Sequence, residues 1–416
     1  MSFDLNMPSA ASAGEARRRA MQRSPAPRAG LLVPLVFGAT ALLAGVTLGG
    51  LVKLWPHGPA PRVSGIAAVK TNGAEVESVA AGRCSDVGLE TCFRVGVKLL
   101  DGPDKGSAAT VWVGKTTGYT GFSVGDRVRV MRNPPPPAGY SGPSAGRYSF
   151  ADYDRRTPMV WLAAAFVVLL ILGSRLAGVR ALFGLGVSLA LVVFFVVPSI
   201  LAGHSALAVA LVGSLAVLLA TVPLSYGLGP KAIAAWLGTA LSLFVAVGLA
   251  AVFTGLAHLT GTTSEQAVTL ATSDSHVSLR GILLAGMIVG ALGVLVDLTV
   301  SQASTVIALR RANGSLGFGG LFRGALAVGH DHIAATVNTL VFAYAGAALP
   351  TLLIFSVAGT SFTDAINSEA VAGEIVATLV GAIALILSMP LTTALAAVLA
   401  TRMPDRRLAA GAGHVH

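Results

Sequence analysis

The sequence predicts a polytopic α-helical membrane protein with about eight transmembrane helices and a small β-rich, OB-like extracytoplasmic domain between helices 1 and 2. Only 12% of its 416 residues are charged, about half of the roughly 25% that is usual in soluble domains. The mean hydropathy is +0.75. Long apolar runs recur along the chain, and one long polar stretch separates the first run from the rest. These observations exclude an ordinary soluble protein.

Eight runs are apolar and long enough to cross a bilayer, which requires roughly 20 helical residues. Helices are expected because lipid offers no partner for unpaired backbone groups. The first run is predicted to be a retained anchor, since no small-residue cleavage site follows it. The predicted spans are Leu31–Val52, Met159–Ser174, Ala181–Leu201, Ala206–Leu224, Ile233–Leu256, Ile282–Val300, Ile333–Val357 and Ile375–Ala400.

Basic residues set the predicted orientation. Five arginines lie between Arg17 and Arg28, and further basic residues occupy every second connection. Because Lys and Arg collect in cytoplasmic loops, both termini are predicted to be cytoplasmic, in the plasma membrane of a bacterium. The same rule explains the net charge of +10 without nucleic acid. The predicted organisation is a disordered basic arm (1–30), an anchor helix (31–53), an extracytoplasmic β-rich domain (54–157), a seven-helix membrane domain (158–401) and a cytoplasmic tail (402–416).

The extracytoplasmic segment contains short runs rich in Val and Ala, separated by Gly, Asp, Asn and Pro. Such runs predict strands, here in a small antiparallel barrel or sandwich. Both cysteines of the chain, Cys84 and Cys92, lie in this segment. On the oxidising side of the membrane they are expected to form a disulfide. A metal pair is the alternative, but no histidine lies at the usual ligand spacing, and no cofactor or metal is predicted.

Asp297 lies within the sixth predicted span, in "GVLVDLTVSQAS". A carboxylate inside a transmembrane helix is costly unless it is paired or hydrated, so the residue is a functional candidate. Ser301 and Ser304 follow at i+4 and i+7 on the same face and extend a polar stripe towards the cytoplasm. The structural alternative is an ion pair between Asp297 and Arg310 or Arg323.

The seventh predicted span begins with a second polar group, in "GHDHIAATVNTL". Asp331, Asn338 and Thr339 share one helical face, and His332 lies on the adjoining face. If the two stripes face each other, they form a hydrated seam for a cation, a proton or a small polar solute. The candidate residues on this span are His330, Asp331, His332, Thr336, Asn338 and Thr339.

Other roles for these residues remain open. Asp331 also suits a helix N-terminus, where an acid complements the dipole. Thr336, Asn338 and Thr339 are of types that join helices in membranes. The two histidines suit a pH-dependent switch, and less readily a shared zinc site, because they point in different directions.

The connection Gln302–Val328 is predicted to lie on the membrane surface as an amphipathic helix, or to re-enter the membrane as a half-helix. Its glycines match no nucleotide-binding fingerprint. The chain carries no metalloprotease or serine-hydrolase motif, so we expect that it is not an enzyme.

Four segments together resemble the YibE/F-like family of bacterial multispanning membrane proteins. They are "VLVDLTVSQAS", "LRRAN", "GHDHIAATVNTLVFAYAGAALP" and "EIVATLVGAIALILSMPLTT". The resemblance covers most of Arg156 to Thr401, and the composition is of an actinobacterial type. It implies that Asp297, Asp331, His332, Asn338 and Thr339 are motif positions.

The same resemblance implies a permease for an ion or a small polar solute. The alternative is a non-transporting envelope scaffold or assembly factor whose outer domain binds a partner or lipid. The predicted partners are the lipid bilayer, an ion or small polar solute, and an envelope protein or further copies of the chain. Nucleic acid is not among them.

Overall fold

The computed structural model describes residues 32–58, 70–84, 89–114, 121–134, 146–263, 268–269, 272 and 277–402; side chains between 82 and 92 are outside this description. The chain forms two compact units. One comprises Met1–Val63 and Val179–His416, and the other comprises Ser64–Gly178.

The smaller unit contains a five-stranded antiparallel sheet. Its strands are β1 (Thr71–Cys84), β2 (Leu89–Leu99), β3 (Ala108–Gly114), β4 (Arg127–Arg132) and β5 (Tyr148–Tyr153). The order is β3-β2-β1-β4-β5, and the sheet curls so that β3 also contacts β5. Alternate apolar side chains such as Val95, Val97 and Val130 form its buried core. The predicted antiparallel β-rich domain is confirmed, while its OB-like topology and its location outside the cytoplasm stay predictions.

The pairing of β1 with β2 bears on the predicted disulfide. Backbone pairing joins Gly82 with Cys92 and Cys84 with Leu89. The cysteine side chains are outside the description, so the disulfide stays a prediction.

Asp104 of the sheet domain accepts a 2.5 Å hydrogen bond from the hydroxyl of the buried Tyr148. This bond, aided by nearby arginines, holds the pKa of Asp104 below its usual value.

Seven helices in the described residues are long and apolar enough to cross a membrane, rather than the eight predicted. The predicted second and third spans fall in one helical stretch of 46 residues, Arg156–Leu201, so they count once. It comprises α2 (Arg156–Leu191), a π-helical turn (Val192–Val196) and α3 (Val197–Leu201).

That stretch is interrupted where the sequence predicted a connection. Arg175 has a φ of 48° and breaks the helical geometry. A Cβ added to Gly178 would lie 2.5 Å from the carbonyl oxygen of Leu170. Residues eight apart in an unbroken helix are separated by about 12 Å along the axis. The chain therefore turns sharply at Arg175.

The remaining helices belong to the larger unit and form a bundle. They are α1 (Leu32–Leu54), α4 (Ala206–Tyr226), α5 (Pro230–Leu256), α6 (Leu279–Ala312), α7 (Phe318–Val357), α8 (Phe362–Asn367) and α9 (Glu369–Arg402). Helices α5, α6 and α9 pack most extensively against one another, and α7 packs on α9 and α6. Leu243, Leu295, Leu298 and Leu385 are fully buried at the centre.

The prediction for the connection Gln302–Val328 is wrong. Helix α6 continues to Ala312 and α7 begins at Phe318, so the segment is neither a surface helix nor a re-entrant one. The apolar face of "LFRGALAVG" explains the difference. Its residues Leu321 and Ala325 are completely buried in a cluster with α6 and α9, which extends the bundle beyond the predicted spans.

Candidate functional site

The two predicted polar stripes meet at one pair of side chains. The Nε2 atom of His332 on α7 lies 3.8 Å from Oδ2 of Asp297 on α6. This distance is too long for a hydrogen bond, so the contact is an ion pair only when the imidazole carries a second proton. The His332 Nε2 atom is itself buried, without a hydrogen-bond partner among the described residues.

The environment of Asp297 decides between the alternatives for this residue. Its side chain is 73% exposed, and that of His332 is 37% exposed. The guanidinium of Arg310 donates instead to the carbonyl oxygens of Gly314 and Leu316, and Arg323 donates to a carbonyl of its own helix. The alternative in which one of these arginines neutralises Asp297 is therefore wrong.

Helical periodicity places Asp297 on the exposed face of α6. Leu295, Leu298 and Gln302 lie on the face that packs into the bundle, which leaves Asp297 and Ser301 on the other side. Helix α7 buries Leu321, Ala325 and Gly329, so it also leaves its polar stripe outside the packed interface.

The other candidates on α7 are not brought into contact with α6. His330, Asp331, Asn338 and Thr339 are exposed, and Thr336 is half-buried. The hydroxyls of Thr336 and Thr339 donate to the carbonyl oxygens of His332 and Ala335, one turn earlier in the same helix. These two threonines are thus satisfied locally and do not join helices.

Sequence reasoning missed a second, buried polar group in the bundle. The side-chain amide of Gln302, only 2% exposed, donates to the carbonyl of Ala325 at 2.7 Å and to the hydroxyl of Thr393 at 2.8 Å. It thereby connects α6 with α7 and α9. The hydroxyl oxygens of Thr239 and Thr299 lie 2.5 Å apart and connect α5 with α6. The sequence did contain a signal that Gln302 is buried, because Leu295, Leu298 and Gln302 have the i, i+3, i+7 spacing of one helical face.

No three His, Cys, Asp or Glu side chains gather into a potential metal centre within the described ranges. His330 and His332 therefore have no further ligands there for a shared zinc ion. The site offers a carboxylate and an imidazole for a proton or for a singly charged solute.

Comparison with known protein families decides what the bundle is. The sequence model of the YibE/F-like proteins matches residues 162–402, more than half of the chain. The chain belongs to the YibE/F-like family. The matched region of this YibE/F-like protein contains both Asp297 and His332, whereas α1 and the sheet lie outside it. No curated protein and no solved structure gave a match.

Proposed function

We propose that this YibE/F-like membrane protein is a permease for an ion or a small polar solute, and not an enzyme. The observation that carries the proposal is the Asp297–His332 pair. It joins two apolar helices, its carboxylate is largely exposed, and no arginine neutralises it in the described part of the chain.

The physical argument starts from the cost of a charge in lipid. A carboxylate at membrane depth is stable only next to water, a counter-charge or a polar partner. Among the described residues His332 is the one ion-pair partner of Asp297, is charged only when its imidazole is protonated, and leaves most of the carboxylate uncovered. A hydrated groove between α6 and α7 would meet that requirement and would give a polar solute a route.

The proposed orientation follows from the basic residues. Arg310 and Arg311 occupy the last turn of α6, and the positive-inside rule assigns such a turn to the cytoplasm. In this arrangement the Asp297–His332 pair lies in the inner part of the membrane. The N-terminus is then cytoplasmic and the sheet lies outside the cell, which requires the stretch Arg156–Leu201 to cross the membrane twice, once on each side of the turn at Arg175.

The test is flux into proteoliposomes containing the full-length protein. Proton movement is followed with an internal pH-sensitive dye, and Na⁺ and K⁺ uptake are followed with radioactive tracers. We expect Asp297→Asn to lower the flux about tenfold or more, since each ~1.4 kcal/mol of lost stabilisation slows a step tenfold. Glu77→Gln, which removes an exposed carboxylate of β1, is the matched control.

Gel filtration and circular dichroism establish that both variants are folded. If folded Asp297→Asn transports each of these ions as fast as the wild-type protein, the permease proposal fails for them.

The second candidate function is a non-transporting envelope scaffold. It is favoured by the sheet, which forms a compact unit with its own core outside the family region. Such a unit is suited to binding an envelope partner or lipid. If deletion of the sheet abolishes the protein's cellular role while Asp297→Asn leaves it intact, the scaffold function is the correct one.

A further inference from the structure

A cavity lies among three helices of the bundle, at a different depth from the Asp297–His332 pair. Its volume is about 290 Å³. Gly286 and Met287 of α6, Tyr344 of α7, and Gly373 and Glu374 of α9 contribute to its wall. Water occupies about 30 Å³ per molecule in the liquid, so the cavity has room for several waters or for a partly hydrated ion.

Two glycines of the cavity wall have open space where a side chain would begin. A Cβ atom added at Gly286 or at Gly373 would meet nothing within 4 Å. Both glycines line the cavity. Each is therefore a position at which a side chain can begin without displacing a neighbour.

The carboxylate of Glu374 has no structural role that the described residues reveal. The side chain is half-buried and forms neither a hydrogen bond nor an ion pair within the described part of the chain. Glu369, five residues earlier on the same helix, is the opposite case. It accepts hydrogen bonds from the backbone N–H groups of Thr260 and Gly261 and from the Thr262 hydroxyl.

The oxygens available in the cavity suit one positive charge. A single half-buried carboxylate gains most from one compensating charge, because an isolated charge away from water is costly. The Tyr344 hydroxyl supplies a second oxygen within the same wall. That hydroxyl lies 2.9 Å from the position of a Cβ on Gly290, so it reaches across to α6.

The cavity and the Asp297–His332 pair share the same two helices. Gly290, where the Tyr344 hydroxyl contacts α6, is seven residues from Asp297, or about 10 Å along the axis. Tyr344 and His332 are twelve residues apart on α7, or about 18 Å. The Tyr344 hydroxyl thus stands between the cavity and the pair.

We propose that this cavity is a binding site for a single positive charge, a proton or a partly hydrated monovalent metal ion, at the Glu374 carboxylate. The role of the site as the outer station of a transport route rests on the permease function proposed above. The binding itself does not depend on that function.

The test uses a hydrophobic carbodiimide, which reacts with protonated carboxyl groups in apolar surroundings. The full-length protein in detergent is treated at a series of pH values, and modification of Glu374 is quantified by mass spectrometry. One arm adds NaCl or KCl at constant ionic strength with choline chloride. The other compares the pH dependence of labelling in the folded protein with that of the protein unfolded in dodecyl sulfate.

Protection of Glu374 by Na⁺ or K⁺ identifies a metal ion as the ligand. A pH dependence that differs between folded and unfolded protein, without protection by either salt, identifies a proton. The proposal is overturned if neither salt protects Glu374 and its pH dependence is the same in both states. It is also overturned if Glu374 of the folded protein is not labelled at any pH.

Two glycine variants test whether the cavity is responsible. Gly286→Leu fills the space, so we expect it to abolish the protection or the pH difference. Gly248→Leu on α5 is the matched control, because a Cβ there also meets nothing within 4 Å and Gly248 is not part of the cavity wall. If Gly286→Leu and Gly248→Leu both behave like the wild-type protein, the cavity is not the binding site.

The labelling and flux experiments fail independently. Loss of flux in Asp297→Asn with an unresponsive Glu374 overturns the cavity site alone. Normal flux in Asp297→Asn with a responsive Glu374 overturns only the permease proposal.

Discussion

The close contact between α5 and α9 allows the bundle packing to be tested at one glycine. A Cβ added at Gly238 would overlap the hydroxyl oxygen of Thr392 and would lie 2.9 Å from its Cβ and 3.2 Å from its Cα. Rotation of the threonine relieves only the overlap with the hydroxyl, because Cα and Cβ move with the α9 backbone. Ordinary contact begins at 3.4 Å, so Gly238→Ala requires α5 and α9 to separate by about 0.5 Å (3.4 minus 2.9).

The magnitude follows from a matched pair of variants. Overpacking of a well-packed core costs about 1–3 kcal/mol, whereas replacing a helical glycine by alanine gains up to ~1 kcal/mol. Gly248→Ala, on the same helix with nothing within 4 Å of the new methyl group, has the gain without the cost. The difference in the free energy of unfolding between the two variants is therefore expected to be about 1–3 kcal/mol.

The assay is reversible unfolding of the full-length protein in mixed micelles with increasing dodecyl sulfate. Loss of helix is followed by circular dichroism, and fluorescence of variants with Trp236 as the only tryptophan reports locally, because Trp236 is buried two residues before Gly238 on α5. Thr392→Ala removes the overlapping hydroxyl but keeps Cα and Cβ, so it should leave most of the cost of Gly238→Ala in place. If Gly238→Ala and Gly248→Ala unfold alike, α5 and α9 are not as close as this reasoning requires.

Two further predictions concern buried polar groups. Gln302→Leu removes two hydrogen bonds worth about 0.6 kcal/mol each on average and ~1.7 at most in membrane proteins, so it should destabilise the bundle by about 1–3 kcal/mol in the same unfolding assay. Ser301→Ala, next to it on the exposed face, should stay within ~0.5 kcal/mol of wild type. In the sheet, Tyr148→Phe removes the main cause of the lowered pKa of Asp104. A carboxylate with a lowered pKa adds stability above its unfolded pKa, about 3.9, and loses it as the pH falls through the folded value. Tyr148→Phe should therefore melt earlier at neutral pH and lose less stability on acidification. Thermal melting of a full-length variant with Trp112 as its only tryptophan measures this, and an acid dependence equal to that of wild type would contradict it.

Helix α6 shows how far the sequence predicts the site. The i, i+4 spacing put Asp297 and Ser301 on one helical face, and both are exposed in the structure. The sequence left open whether this face meets α7; the structure brings His332 to 3.8 Å from Asp297. Periodicity alone does not say which face of a helix its neighbours cover. A seam inside the bundle would require the polar stripe to lie on the covered face of α6, but that face contains Thr299 and Gln302.

Length and composition predicted where the long helices lie but not where they begin and end. Apolar runs located the long helices of the described residues. They did not predict that α6 extends to residue 312 or that α7 already begins at residue 318. The extension depends on burial of Leu321 and Ala325 against residues far away in the sequence. In the sheet, alternation of Val predicted strands, but the β3-β2-β1-β4-β5 order depends on which strand edges meet.

The charged groups of the bundle fall into two classes that the sequence does not separate. Glu369 and Glu374 are five residues apart on one helix. The Glu369 carboxylate accepts hydrogen bonds from loop N–H and hydroxyl groups, whereas Glu374 lines a cavity. Arg310 donates to carbonyls of the connection between α6 and α7, and Arg323 donates to a carbonyl of its own helix, so neither arginine pairs with Asp297. Ionisable groups at membrane depth are costly, so a group that satisfies no structural need requires another reason for its presence. Asp297 and Glu374 are two such groups, at different depths of the same helical bundle, and this arrangement suits the passage of a positive charge better than it suits a passive anchor.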